Sequence, residues 1–123
     1  MVSSAERLNG KSVLEHLTSP GGVGINSNMK AELLFRKREG LTETAFVELV
    51  IWRVLEPVRG SGHGYKYSLA LVSNGVCVLR YDNEAGKGDH KHVADREVDY
   101  RFVDLTTLQN DFWNDVEVWR AGE

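Results

Sequence analysis

The dipeptide Asn74-Gly75 constrains this chain more than any other two residues, because it sits between two runs that alternate in the manner of β-strands. On the N-terminal side, Tyr65, Tyr67, Leu69 and Leu71 alternate with Lys66, Ser68, Ala70 and Val72; on the C-terminal side, Val76 to Tyr81 is rich in β-branched and apolar residues. A two-residue type I′ turn needs positive φ at both central positions, and Asn-Gly supplies them at the lowest cost. The spacing predicts a tight hairpin of strands 65–72 and 76–81. Antiparallel pairing then sets residues 64–66 beside residues 83–85.

Further strands follow from the same period. Met29 to Lys37 alternates, with Ala31, Leu33 and Phe35 expected on one face. Phe46 to Val54 is apolar on both faces apart from Glu48 and Arg53, the pattern of a strand inside a sheet. Asp82 to Asp99 is polar and glycine-containing and reads as loop, and Tyr100 to Val103 as a short fifth strand. Asp104 can cap a C-terminal helix whose Leu105, Leu108, Phe112, Val116 and Trp119 form one apolar stripe. Near the start, Ser12 to Leu17 carries a capping box, and the Pro- and Gly-containing stretch after it breaks regular structure. The expected class is α+β, a four- to five-stranded antiparallel sheet packed against a C-terminal helix.

A single cysteine, Cys77, excludes an intrachain disulfide. The N-terminal residues hold no long apolar run, so neither a secretory signal nor a membrane anchor is expected, which points to a cytoplasmic protein. The net charge is −3, yet the segment from Asp104 onward carries −4, leaving +1 for the rest. Such a distribution permits contact with phosphate without demanding it. Asp111 and Asp115 are expected on the outside of the helix, facing away from any RNA. Trp52, Trp113 and Trp119 read as core or interface residues, and Cys77 as a buried thiol.

The chemistry-bearing residues are unevenly placed. His16 stands alone and reads as structural or exposed. His63, His90 and His92 flank the hairpin, and the run from Arg80 to His92 also holds Asp82, Lys87, Asp89 and Lys91. The hairpin register leads us to expect His63, His90 and His92 in one pocket with Lys66 and Arg80. Metal-free RNA cleavage needs a base for the 2′-hydroxyl, an acid for the leaving oxygen and cations for the phosphorane. His90 or His92 as base, His63 as acid, Lys66 and Arg80 as cations and Tyr65 as donor or stacking surface supply that set. Lys87, Asp82 and Lys91 are the candidate substrate contacts. A competing reading has His90, His92 and an aspartate or His63 binding a metal such as zinc for a nuclease or hydrolase. Lys87 and Lys91 argue against it by repelling a dication, so no cofactor is expected. A third reading makes the stretch a solvated loop that captures a protein partner without catalysis. An Arg80–Asp82 ion pair is the structural alternative for those two residues.

The run VIWRVLEPVRGSGHGYKYSLALVSNGVCVLRYDNEAGKGDHKHV, followed by YRF and LQNDFWNDVEVWR, resembles the TumE family of prokaryotic toxins. The resemblance spans roughly residues 30–120 and is most specific at HGYKYSL, RYDN, GKGDHKH and YRF. It divides the chain into residues 1–28, a short helix and flexible segment, and residues 29–123, a TumE-like toxin domain. It implies a toxin of a toxin–antitoxin module with a cognate antitoxin, usually a small DNA-binding protein, and by comparison with other small toxins an endoribonuclease that inhibits translation. It also implies a sheet-plus-helix fold reminiscent of RelE-like toxins. Whether such a toxin forms a homodimer is left open by the residues.

Overall fold

The computed structural model describes residues 31–122. The helix expected at Ser12 to Leu17, the break after it and His16 lie outside those residues. Six strands form one antiparallel meander, β1 (Ala31–Gly40), β2 (Ala45–Val54), β3 (Tyr65–Ser73), β4 (Val76–Glu84), β5 (Gly88–Val93) and β6 (Arg96–Asp99), in sequence order across the sheet. A single helix follows among the described residues, α1 (Leu105–Ala121). The architecture is therefore α+β as expected, but with six strands in place of four to five. No helix among the described residues is long and apolar enough to cross a membrane.

The β3–β4 hairpin closes at Asn74 and Gly75, which take φ of 52° and 78°. β2 lies between β1 and β3, which accounts for its apolar character on both faces. Val47, Leu49, Ile51, Tyr67, Leu69, Leu71, Leu79 and Tyr81 point to one side and meet Leu108, Phe112 and Val116 of α1 in a single core. Asp104 caps that helix as expected, accepting a hydrogen bond from Thr107 N–H at 2.7 Å. The opposite side of β2 and β3 is also buried, through Phe46, Val50, Ala70 and Val72.

An extra residue in β1 overturns the expectation that Leu33 and Phe35 share a face. Register shifts between Leu33 and Phe35, so Leu33 pairs with Trp52 and Phe35 with Ile51, and the two point to opposite faces. Leu34, the inserted residue, packs on the core instead. A second shift, on the β3–β4 ladder, pairs Val72 with Cys77 but Leu71 with Leu79. Val78 is the unpaired residue there, and beyond it Tyr81 enters the core while Arg80 and Asp82 face the other way.

The stretch from Asp82 to Asp99 is strand, not loop. β4 continues to Glu84, a glycine turn leads into β5, and Ala94 with φ of 57° turns the chain into β6. These strands escape hydrophobic patterning because their side chains are held by ion pairs in place of apolar contacts. Tyr100 to Val103, expected as a strand, lies outside the ladder, with Tyr100 N–H donating to the Asp89 carbonyl at 3.1 Å.

Candidate functional site

Asp89 and His90 are consecutive in β5, and a strand sends consecutive side chains to opposite faces. Asp89 and Lys91 point to the side of α1; His90 and His92 point to the far face. This alternation divides the residues expected to converge into two groups.

On the helix side, Asp89 accepts from Ser61 Oγ at 2.6 Å, His63 Nε2 at 2.7 Å and Tyr67 Oη at 2.6 Å. His63 Nδ1 accepts from the Tyr65 amide at 3.2 Å, which requires the proton on Nε2, where it is directed at Asp89. Both ring nitrogens are thus engaged. The ring also stacks on Phe102, with centroids 3.8 Å apart, and a cavity of about 270 Å³ opens beside it, lined by Gly62, His63, Asp89, Phe102 and Val103. Tyr65 lies next to His63, 5.9 Å between centroids. Burial and the Asp89 carboxylate hold the Tyr67 hydroxyl well above its ordinary pKa. Lys91 reaches α1, where its Nζ lies 3.0 Å from Asp115.

Asp115 also accepts from the Tyr81 hydroxyl, and Asp111 accepts from the Tyr100 hydroxyl at 2.6 Å. The expectation that these two aspartates face outward is therefore overturned: Asp115 fastens the helix to β4 and β5, and Asp111 fastens it to the segment after β6. Burial, then the aspartates, raise the pKa of Tyr81 and of Tyr100.

The far face carries the second group in two transverse rows. Arg38, Glu48, Ala70, Arg80, His92 and Glu97 are successive partners across the six strands, and Arg36, Val50, Ser68, Asp82, His90 and Asp99 form the next row. Asp82 and His90 are directly opposed and buried, at 4% and 2% exposure. Asp82 Oδ1 and His90 Nε2 stand 2.9 Å apart, an ion-pair separation, yet both atoms lack a hydrogen bond of acceptable geometry because they are misaligned. His90 Nδ1 lies 3.0 Å from the Gly88 carbonyl. The His92 ring meets the His90 ring edge to face at 5.1 Å and is partly open to solvent. Glu97 Oε2 approaches His90 Nε2 at 3.3 Å and His92 Nε2 at 3.7 Å.

Two cations on this face stand beside its carboxylates, and a third meets a backbone carbonyl. Arg80 Nη1 is 3.9 Å from Asp82 Oδ2, and Lys87 Nζ reaches Glu97 at 2.9 Å and Glu84 at 3.8 Å. Lys66 Nζ donates to the Asn83 carbonyl at 2.7 Å; burial lowers its pKa, opposed by the charges of Asp82 and Glu84. Asp82, His90, His92, Arg80, Lys66 and Lys87 thus share the far face, while His63, Tyr65 and Lys91 do not. The single pocket holding all three histidines does not form: the hairpin brings them to one end of the sheet, but the sheet lies between them.

Glu97 was not singled out from the sequence. Glu97 is opposed to His92 only because β6 exists, and the reading of 82–99 as loop hid it. Gly88 is needed where it stands: a Cβ there would lie 2.6 Å from the Gly60 carbonyl oxygen, and its φ is +75°. That contact seats the segment carrying His63 against the turn before β5.

No curated protein matches the chain, and no solved structure matches it. One protein family does: the family model described as Toxin TumE matches residues 25–120, which includes every described strand and nearly all of α1. The chain belongs to the TumE toxin family.

Proposed function

We propose that this toxin of a toxin–antitoxin module is an endoribonuclease whose chemistry lies on the far face, around Asp82, His90 and His92, with Arg80, Lys66 and Lys87 receiving phosphate. The observation that supports this most is the Asp82–His90 pair, buried side by side and backing the half-exposed His92. Cleavage of RNA needs a group that removes a proton near neutral pH and positive charge for the pentacoordinate phosphorus. His92 is the member of the cluster that solvent reaches, and the cations stand on the same face. The assignment of His63 as the acid of this cluster loses its basis, since both nitrogens of that ring are engaged on the other side of the sheet. The toxin family also implies a cognate antitoxin, which we take to be a small DNA-binding protein.

Induced expression of the wild type against His92→Ala and His90→Ala, scoring growth and RNA integrity together, tests this reading. Wild type should arrest growth with fragmented RNA, and both variants should lose both effects. Growth arrest with intact RNA, unchanged in His92→Ala, would replace catalysis with capture of a partner.

A further inference from the structure

The far-face cluster has a property that RNA cleavage by itself does not explain. Asp82 Oδ1 and His90 Nε2 are deeply buried, close, and lack a hydrogen bond. Buried polar atoms left in this state are costly. The Gly88 carbonyl can only accept, so the 3.0 Å contact places a proton on His90 Nδ1. In the neutral ring Nε2 is then a bare lone pair, with a carboxylate oxygen 2.9 Å away. Two acceptors at that distance repel unless a cation lies between them. A proton on Nε2 would lie in the ring plane along its bisector, off the line to Asp82, as the missing hydrogen bond indicates.

We propose that Asp82, His90 and His92 form a binding site for one divalent transition-metal ion, with Glu97 at its solvent side. Ligand atoms of the first three residues all lie within 4.8 Å of one another. Nitrogen and oxygen ligands about 2.0–2.1 Å from a tetrahedral ion are separated from each other by about 3.3 Å. The separations here are 2.9 Å for Asp82–His90, 3.3 Å for His90–Glu97 and 3.7 Å for His92–Glu97. The spread brackets the tetrahedral edge. A backbone carbonyl holding Nδ1 of a histidine so that Nε2 faces outward is the usual support for a metal-binding imidazole. Arg80 Nη1 stands 3.9 Å from the second oxygen of Asp82, within ion-pair range of the carboxylate. Two imidazoles favour a zinc-like ion over manganese, magnesium or calcium, which prefer oxygen-rich shells.

The objection raised by the flanking lysines does not survive the geometry. Lys91 lies on the helix side with Asp115, and Lys87 is paired with Glu97 and Glu84. The nearby cations are offset by the carboxylates they contact, and a bound dication would leave the face positive, as a phosphate-binding surface requires. Such an ion would supply Lewis acidity to the reaction proposed above, with His92 then holding the ion in place of taking the proton. Only that use rests on the ribonuclease reading; the binding stands apart from it.

The test is calorimetric titration of chelator-treated protein with zinc, manganese and magnesium chlorides in turn, with thermal unfolding alongside. We expect one equivalent of zinc to bind saturably and raise the melting temperature, and manganese and magnesium to bind far more weakly. His92→Ala, on a half-exposed ring, should remain folded by circular dichroism and bind the ion at least about 10-fold more weakly; Asp82→Asn provides a second variant. Absence of saturable binding by the wild type, or undiminished binding by both variants, overturns the proposal. Saturable binding without RNA cleavage would sink the ribonuclease reading and leave the site intact. RNA cleavage persisting in protein that binds no metal would do the reverse.

Discussion

Asp89 and His90 are joined by one peptide bond and serve opposite faces of the sheet: Asp89 gathers Ser61, His63 and Tyr67 beneath the helix side, and His90 faces Asp82 on the other. The two residues should therefore fail differently. Asp89→Ala leaves three donors without their acceptor, one of them the hydroxyl of a fully buried tyrosine. We expect a loss of about 3–5 kcal/mol of stability by urea unfolding. Toxicity per folded molecule should stay within a few-fold. A stable Asp89→Ala protein that has lost activity would move the chemistry to the His63 side.

His63→Ala and His92→Ala make the complementary comparison. His63 stacks on Phe102 and donates to Asp89, so its loss should cost roughly 2–4 kcal/mol. His92 is partly exposed, with only the longer Glu97 contact among its ion pairs. Its replacement should change stability by less than about 1 kcal/mol and lower RNA cleavage by about 10²–10⁴-fold. Purified variants assayed on one RNA substrate after matched thermal melts separate the two effects; equal stability losses would contradict the assignment.

Gly88→Ala probes the junction between the two halves of the fold. The new methyl would meet the Gly60 carbonyl oxygen at 2.6 Å, in a backbone conformation with φ of +75°. We expect about 2–3 kcal/mol of destabilisation, together with a displaced carbonyl under His90. Metal affinity in the surviving folded fraction should fall with it. A Gly88→Ala protein as stable as wild type would show that the turn can relax away from Gly60.

Alkaline pH should unfasten the molecule from the core outward. Tyr67 and Tyr81 have hydroxyls held protonated, first by burial and then by Asp89 and Asp115 respectively. Their folded pKa values lie above the unfolded value near 10, so the unfolded chain gives up these protons first. Their contribution is complete below about pH 10 and is lost as pH rises above it, by about 1.4 kcal/mol per pH unit for each tyrosine still protonated in the folded state. Melting temperatures measured from pH 8 to 11 should fall more steeply for wild type than for Tyr81→Phe. Parallel curves would contradict it.

The sequence made some of this legible. Asn74-Gly75 specified its turn because few other pairs tolerate positive φ twice, and Asp104 specified the start of α1 because a carboxylate there satisfies an otherwise bare amide. The stripe of Leu108, Phe112 and Val116 is buried as its spacing requires. β5 and β6 were not legible, because hydrophobic alternation reports burial against an apolar layer and His90, Lys91 and His92 are satisfied by charge instead. The separation of His63 from His90 and His92 was lost for another reason. Topology brought them to one end of the hairpin, but which face each occupies depends on strand parity in β5, a strand the pattern did not reveal.

Val78 decides that parity for β4. As the unpaired residue between the Val72–Cys77 and Leu71–Leu79 pairs, it shifts every later side chain of the strand by half a period. Were it paired like its neighbours, a regular ladder would turn Arg80 and Asp82 toward α1 and send Leu79 and Tyr81 to the far face. The whole partition between apolar core and reactive surface hangs on this one bulge more than on the identity of the residue that forms it. Val78 itself could change to another apolar residue at small cost, and even its deletion would leave Leu79 and Tyr81 in the core, because Leu71 would still meet Leu79 across the straightened ladder.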